Sequence, residues 1–299
     1  MGALVKGVLP ALITPFDEEG KFDEKRMRNF LRFLVPQVHG LYPCGSYGSG
    51  PIMDNSERMR VAEVVMEEVD GRIPVILHTG TPDTKQTIEL VKHAEGLGVT
   101  AVACLSPYYY LHKHENVIEH FKRIVEAVST PVFIYHNPKY TNYTSFTPDV
   151  LNELAEIGVA GLKDSSANIG FFYDCVAKVK KENFTFLIGS QTVLLPALVG
   201  GGSGCVSGLS NLFPRLVNQI FAYADAGEYP KALELQRKAN DLRTLTGDGI
   251  PIPFYHAALK YRGIDIGYPR CPHLAYSQTR IEGLAEPMRD AIKLEESFM

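Results

Sequence analysis

The chain has 299 residues, 45% of them hydrophobic and 21% charged, ordinary globular usage that excludes a largely disordered protein. Its 30 Lys and Arg against 34 Asp and Glu leave a net charge of −4, which gives no support to a protein that grips nucleic-acid phosphates or anionic lipid. Fifteen Tyr, fifteen Phe and no Trp carry the aromatic load, and buried tyrosine hydroxyls need partners. No stretch reaches the roughly 20 apolar residues that span a bilayer, and the first residues lack a secretory apolar core. Cys44, Cys104, Cys175, Cys205 and Cys271 are scattered without a C-x-x-C pair. The expectation is a soluble cytoplasmic protein with reduced thiols, and neither a disulfide framework nor a zinc site.

In chain order, the sequence opens on an apolar run at 7–14 (GVLPALIT), followed by Met27, Phe30, Leu31 and Leu34 at helical spacing. A second run, 40–44 (GLYPC), leads to Asp54 and Glu57, spaced as a helix cap and its partner, and then to the stripe Ala62, Val65, Met66 and Val69. Runs at 73–78 and 99–105 come next, then the stripe Val117, Phe121, Ile124 and Val128. Four more runs follow at 131–136, 158–163, 184–189 and 204–208. Most are entered through Gly or Pro and are contiguous rather than alternating, the pattern of parallel strands buried on both faces. The stretches at about 229–245, 253–262 and 279–296 read as helices without an intervening strand.

Eight strand–helix units predict an α/β fold, a (β/α)8 barrel over 1–226, with a helical region over 227–299 packed beside it. A doubly wound open sheet is the alternative, but the first run ends in Thr14-Pro15-Phe16-Asp17 instead of a Gly-rich dinucleotide turn.

In a barrel of this kind the chemistry sits at the C-terminal ends of the strands. Lys163 closes Val159-Ala160-Gly161-Leu162, so its stem starts in apolar surroundings. Desolvation lowers an amine's pKa, and a neutral amine forms a Schiff base with a ketone. The alternative is a strand-end lysine paired with Asp164. Tyr135 ends the preceding run, as a core phenol or as a proton shuttle for the adjacent lysine. The loop Gly45-Ser46-Tyr47-Gly48-Ser49-Gly50 is either a tight turn or a nest of backbone N–H groups for a carboxylate. His112, His114 and His120 match no standard zinc spacing and fall on a predicted loop and exposed helix start. Gly200 to Gly204 reads as a helix stop and turn.

Together GVLPALITPF from Gly7, PYY at 107–109, Tyr135 with Pro138 three residues on, GLKDSS at 161–166, GSGCVSGLSNLFPR at 202–215 and GYPRCP ending at Pro272 resemble the class I, pyruvate-dependent aldolases. That family includes dihydrodipicolinate synthase and N-acetylneuraminate lyase. The resemblance covers nearly the whole chain and implies a barrel with a C-terminal helical region, assembled as a homotetramer of dimers. It implies that Lys163 forms an imine with pyruvate or another 2-keto acid, needing no separate cofactor. Tyr135 would be the proton-transfer phenol, with Ser46 in its relay. Tyr109 would complete a neighbouring subunit's relay. The backbone at Ser46 and Tyr47 would hold the keto-acid carboxylate, and Val206 would line the pyruvate pocket.

The departures from the family pattern bear on substrate. The common loop Gly-Thr-Thr-Gly-Glu is Gly45-Ser46-Tyr47-Gly48-Ser49 here. The arginine that dihydrodipicolinate synthases place five residues after the catalytic tyrosine is Tyr140, which removes bidentate carboxylate recognition. The Gly48-Ser49-Gly50-Pro51 ending looks more like the 2-keto-3-deoxy sugar-acid aldolases, with Tyr47, Tyr140, Tyr143 and His136 as polyol partners. The leading expectation is a lyase that reversibly cleaves a 2-keto-3-deoxy acid to pyruvate and an aldehyde. Dihydrodipicolinate synthase, a keto-acid dehydratase of the same family and a catalytically idle keto-acid-binding relative are the alternatives.

Overall fold

Alternating apolar runs and amphipathic stripes fold into parallel strands, each followed by a helix. The computed structural model describes residues 2–141, 146–247 and 251–298. Among them, seven strands form one parallel sheet: β1 (Gly7–Pro10), β2 (Ile76–His78), β3 (Ala101–Leu105), β4 (Val132–His136), β5 (Gly161–Asp164), β6 (Thr185–Ile188) and β7 (Gly204–Ser207). Sheet order follows chain order, with β7 returning to pair with β1.

The run at 40–44 is not a strand. It makes only single bridges, Leu41 to Val75 and Tyr42 to Ala11. The segment still reaches both sheet edges: Tyr42 N donates to Pro10 O and Leu12 N to Tyr42 O, each at 3.0 Å, while Leu41 N donates to Pro74 O and Ile76 N to Leu41 O, each at 2.9 Å. Pro10, Pro43 and Pro74 lie along these seams, and each lacks the N–H that a continuous ladder needs.

The helices are α1 (Glu24–Leu34), α2 (Asn55–Val69), α3 (Thr84–Gly96), α4 (His114–Ala127), α5 (Pro148–Glu156), α6 (Ile169–Lys178), α7 (Leu194–Val199) and α8 (Pro214–Asp225), then α9 (Tyr229–Thr244), α10 (Ile252–Ala258), α11 (Gln278–Glu282) and α12 (Ala285–Glu296). Asp54 caps α2 as its spacing requires: its side chain accepts from Glu57 N at 2.8 Å, and Asp54 N donates back to Glu57 at 3.2 Å. Beyond α8 the chain is helical, with α9 against α7 and α8 and α12 against α8. The buried Glu295 carboxylate of α12 accepts from Arg215 N and Leu216 N at 2.9 and 2.8 Å. It thereby satisfies two of the amide donors that open α8.

Strand alternation divides the apolar interior into two layers. Val8, Val102, Ile134, Leu162 and Cys205 join the helices in the outer layer. Leu9, Tyr42, Ala103, Phe133, Leu187 and Val206 make an inner cluster enclosed by the sheet. The β1–β7 seam of that enclosure is tight. A Cβ on Gly204, whose φ is +159°, would lie 1.9 Å from Gly7 O. Gly204→Ala is therefore expected to cost about 1–3 kcal/mol or more by overpacking, read as a lowered denaturant midpoint with an unchanged slope.

Candidate active site

The alternation that builds the inner cluster also aims the polar ends of the strands. In β5, Leu162 and Asp164 face the helices, so Lys163 points inward. In β4, Tyr135 is the inward residue, and the register sets it directly beside Lys163. The Lys163 Nζ lies 3.8 Å from the ring centroids of both Tyr135 and Tyr42, within cation–π range of each. Among the described residues Lys163 is in no ion pair. Asp164, its expected alternative partner, instead accepts from Ser166 N at 3.0 Å and pairs with His136 Nδ1 at 2.8 Å on the other face.

The electrostatics follow from this burial. Lys163 is 4% exposed, and desolvation pulls its pKa below 10.5 despite the opposing influence of Tyr135. Burial works to raise the Tyr135 phenol, but the Lys163 charge and hydrogen bonds from Ser46, Asn137 and Ser165 outweigh it. The phenol therefore titrates below 10. Ser46 Oγ lies 3.5 Å from Tyr135 OH, and Asn137 Nδ2 donates to the same oxygen at 3.0 Å. Desolvation thus favours the neutral amine, while the amine's charge, when present, stabilises the phenol's anion, a coupling that suits imine chemistry and proton transfer.

Lys163 and Tyr135 open into a cavity of about 90 Å³ that Ser46, Tyr47, Tyr140, Asn137, Ser165 and Val206 also line. Of the residues expected at the site, Lys163, Tyr135, Ser46, Tyr47, Tyr140 and Val206 therefore come together. The loop 45–50 is a tight turn, with Gly50 N donating to Gly45 O at 3.1 Å and Ser49 N to Ser46 O at 3.2 Å. A Cβ on Gly50 would collide with Cys44 O at 1.8 Å. Among the described residues the N–H groups of Ser46 and Tyr47 have no acceptor, so the turn also leaves two donors at the cavity wall. The tight-turn reading of this loop describes its hydrogen bonds.

Tyr47 packs tilted against Tyr255 with ring centroids 5.5 Å apart, and burial pushes its phenol up to about 12. Gly208 allows this packing, since a Cβ there would lie 2.3 Å from the Tyr47 ring.

Four expected residues are corrected or fall elsewhere. His136 does not line the cavity. It immediately follows the inward Tyr135 and so faces outward, where it pairs with Asp164 and packs on Phe146 and Phe171 at ring distances of 5.0 and 4.8 Å. Tyr143 lies outside the described residues. Tyr109 is 77% exposed, holds φ +81° and packs on Tyr110 at 5.0 Å, away from this chain's own cavity. His120, expected on an exposed helix start, is buried on α4 with its Nδ1 2.9 Å from Thr84 Oγ1.

Sequence reasoning missed Tyr42, Asn137 and Ser165 as members of the site. Tyr42 stacks on Lys163, and its buried hydroxyl has no partner among the described residues. Inward alternation from Leu41 would have signalled it. Asn137 and Ser165 each follow two residues after an inward strand-end residue, which is the available sign for them.

A parallel α/β sheet with a desolvated lysine and phenol at the C-terminal ends of adjacent strands defines the class. The particular family follows from comparison: the dihydrodipicolinate synthetase family model matches residues 4–289. The chain belongs to this family of class I aldolases, as its motifs indicated. It is 38% identical over 236 residues to a 4-hydroxy-tetrahydrodipicolinate synthase of Brucella suis, covering 78% of this chain and 80% of that one. It superimposes with a TM-score of 0.92 and 25% identity on a pyruvate complex of a prophage protein of the dihydrodipicolinic acid synthase family from E. coli K12, covering 97% and 99% of the two chains. An N-acetylneuraminate lyase from Mycoplasma synoviae gives a TM-score of 0.88 with 26% identity over 96% and 98% of the chains. No helix among the described residues is long and apolar enough to cross a membrane.

Proposed function

We propose that the protein is a Schiff-base lyase that reversibly cleaves a 2-keto-3-deoxy acid, that is, a 4-hydroxy-2-keto acid, to pyruvate and an aldehyde. The placement of the Lys163 amine, buried and with no carboxylate partner among the described residues, against the Tyr135 phenol carries this reading. In the condensing direction the pyruvate carboxylate sits on the Ser46 and Tyr47 N–H groups. Lys163 Nζ attacks C2, and the carbonyl oxygen leaves as water after Tyr135 delivers a proton. The Tyr135 phenolate left by that transfer takes a C3 proton to give the enamine, whose C3 attacks the aldehyde carbon. The aldehyde oxygen takes a proton from Tyr135, and water hydrolyses the imine to free the hydroxy keto acid and the lysine.

Ser46 and Asn137 hold the Tyr135 oxygen during these transfers, and Val206 closes the apolar side of the pyruvate pocket. No separate cofactor enters the sequence, because the imine itself is the electron sink. Tyr109, exposed and turned away from its own cavity, is assigned to a neighbouring subunit's relay in a homotetramer of dimers. Residues 1–226, with 40–44 as the eighth stave, form the barrel of this reading, and 227–299 its helical appendage.

The test is exchange of pyruvate methyl hydrogens in D2O, followed by NMR without any aldehyde. Exchange is expected, and its rate should rise with pH along a limb centred below 10.5, because burial holds the Lys163 pKa down and only the neutral amine attacks. An exchange rate no faster than that of free pyruvate would reject the enamine.

A further inference from the structure

Beside the lysine cavity lies a second compartment, of about 260 Å³. Ser46 and Tyr140 line both, so the two adjoin on the side from which an aldehyde would approach the enamine. The larger compartment is walled by Pro51, Ile52, Leu105, Tyr108, Tyr140 and Ile252. Pro51, Ile52, Leu105 and Ile252 offer no side-chain hydrogen bond. The polar groups are the hydroxyls of Ser46, Tyr108 and Tyr140, the buried Ser49 hydroxyl, which has no partner among the described residues, and His273.

Two chemical classes fit this lining badly. A polyhydroxylated aldehyde carries a hydroxyl on each carbon, and each one buried against Ile52, Leu105 or Ile252 without a partner costs about 1–3 kcal/mol. Of the partners expected for such a chain, His136 faces the opposite side of its strand. An aldehyde bearing a carboxylate fares no better. Among the described residues Lys163 is the only Lys or Arg lining either compartment, and burial lowers the His273 pKa from 6.5, toward the uncharged ring.

An aromatic ring suits the space. The compartment exceeds the cavity of about 150 Å³ that, lined by aliphatic residues, holds benzene. Tyr108 and Tyr140 supply ring faces or edges for offset or T-shaped contact.

We infer that the acceptor side of the reaction takes an aryl aldehyde, held in the compartment walled by Ile52, Leu105, Tyr108, Tyr140 and Ile252. The inference rests on the enamine reading above and narrows it. The C3 of the enamine bonds to the benzylic carbonyl carbon, whose oxygen is protonated. Hydrolysis then releases a 4-aryl-4-hydroxy-2-keto acid containing every atom of pyruvate and aldehyde.

The experiment presents the wild-type protein with pyruvate and, separately, benzaldehyde, glyceraldehyde or aspartate semialdehyde, with products read by mass spectrometry. Benzaldehyde is expected to give kcat/KM at least tenfold above the other two. Ile52→Asp, which puts a carboxylate against the ring, should raise the benzaldehyde KM at least tenfold. Methyl-hydrogen exchange of pyruvate in D2O is measured on the same preparation. Exchange together with a preference for glyceraldehyde or aspartate semialdehyde, or with no benzaldehyde product, overturns the aryl assignment and leaves the lyase standing. Absence of exchange removes the lyase reading and the aryl assignment with it.

Discussion

Lys163→Ala is expected to lower the rate of pyruvate methyl exchange, and of any aldol cleavage, by about 10⁴-fold or more, the scale of losing a covalent catalyst. The side chain is buried under two aromatic rings and has no carboxylate partner among the described residues. Its removal therefore leaves no orphaned countercharge, and the variant should fold. Apolar neighbours Leu187 and Phe133 close around the same interior, so truncation leaves a void rather than an unpaired ion. Circular dichroism of the variant should match the wild type. A variant that folds and still exchanges pyruvate hydrogens at the wild-type rate would remove the lysine from the chemistry.

Tyr135→Phe should lower kcat by about 10²- to 10⁴-fold, the usual contribution of a positioned acid or base, while preserving the ring that packs on Lys163, Tyr42 and His78. The hydroxyl is the shared partner of Ser46 and Asn137, so deleting it also leaves the Asn137 amide unmet. Ser46→Ala separates the two effects. It removes one support of the phenol but not the phenol itself, so its loss in kcat should be smaller than that of Tyr135→Phe. Equal losses would mean that the phenol moves no proton without the serine, so that the two act as one unit.

The placement of this pair was legible in the sequence because contiguous apolar runs ending in Tyr135 and Lys163 mark adjacent buried strands, and the register indeed sets the two residues side by side. The capping box at Asp54 and Glu57 was legible for the same kind of reason, since its chemistry is local. What failed was long range or a matter of facing. His136 was grouped with the site because it is next to Tyr135 in the chain, yet adjacency within a strand means opposite faces. Tyr42 was hidden in a run that reads as core, and its position over Lys163 depends on a segment bonded to both sheet edges without being a strand. The compartment beside the lysine cavity draws on residues from 46 to 273, in five separate stretches of the chain. No window of sequence contains it.

The central claim is a covalent bond between Lys163 and the keto acid. Wild-type protein incubated with pyruvate and sodium borohydride, then digested and mapped by mass spectrometry, tests it directly. The expected result is a single modified peptide carrying Lys163, heavier by the mass of pyruvic acid less one oxygen atom, as loss of water and gain of two hydrogens require. An unmodified Lys163 peptide after reduction, or an adduct mapped to another lysine, would contradict it.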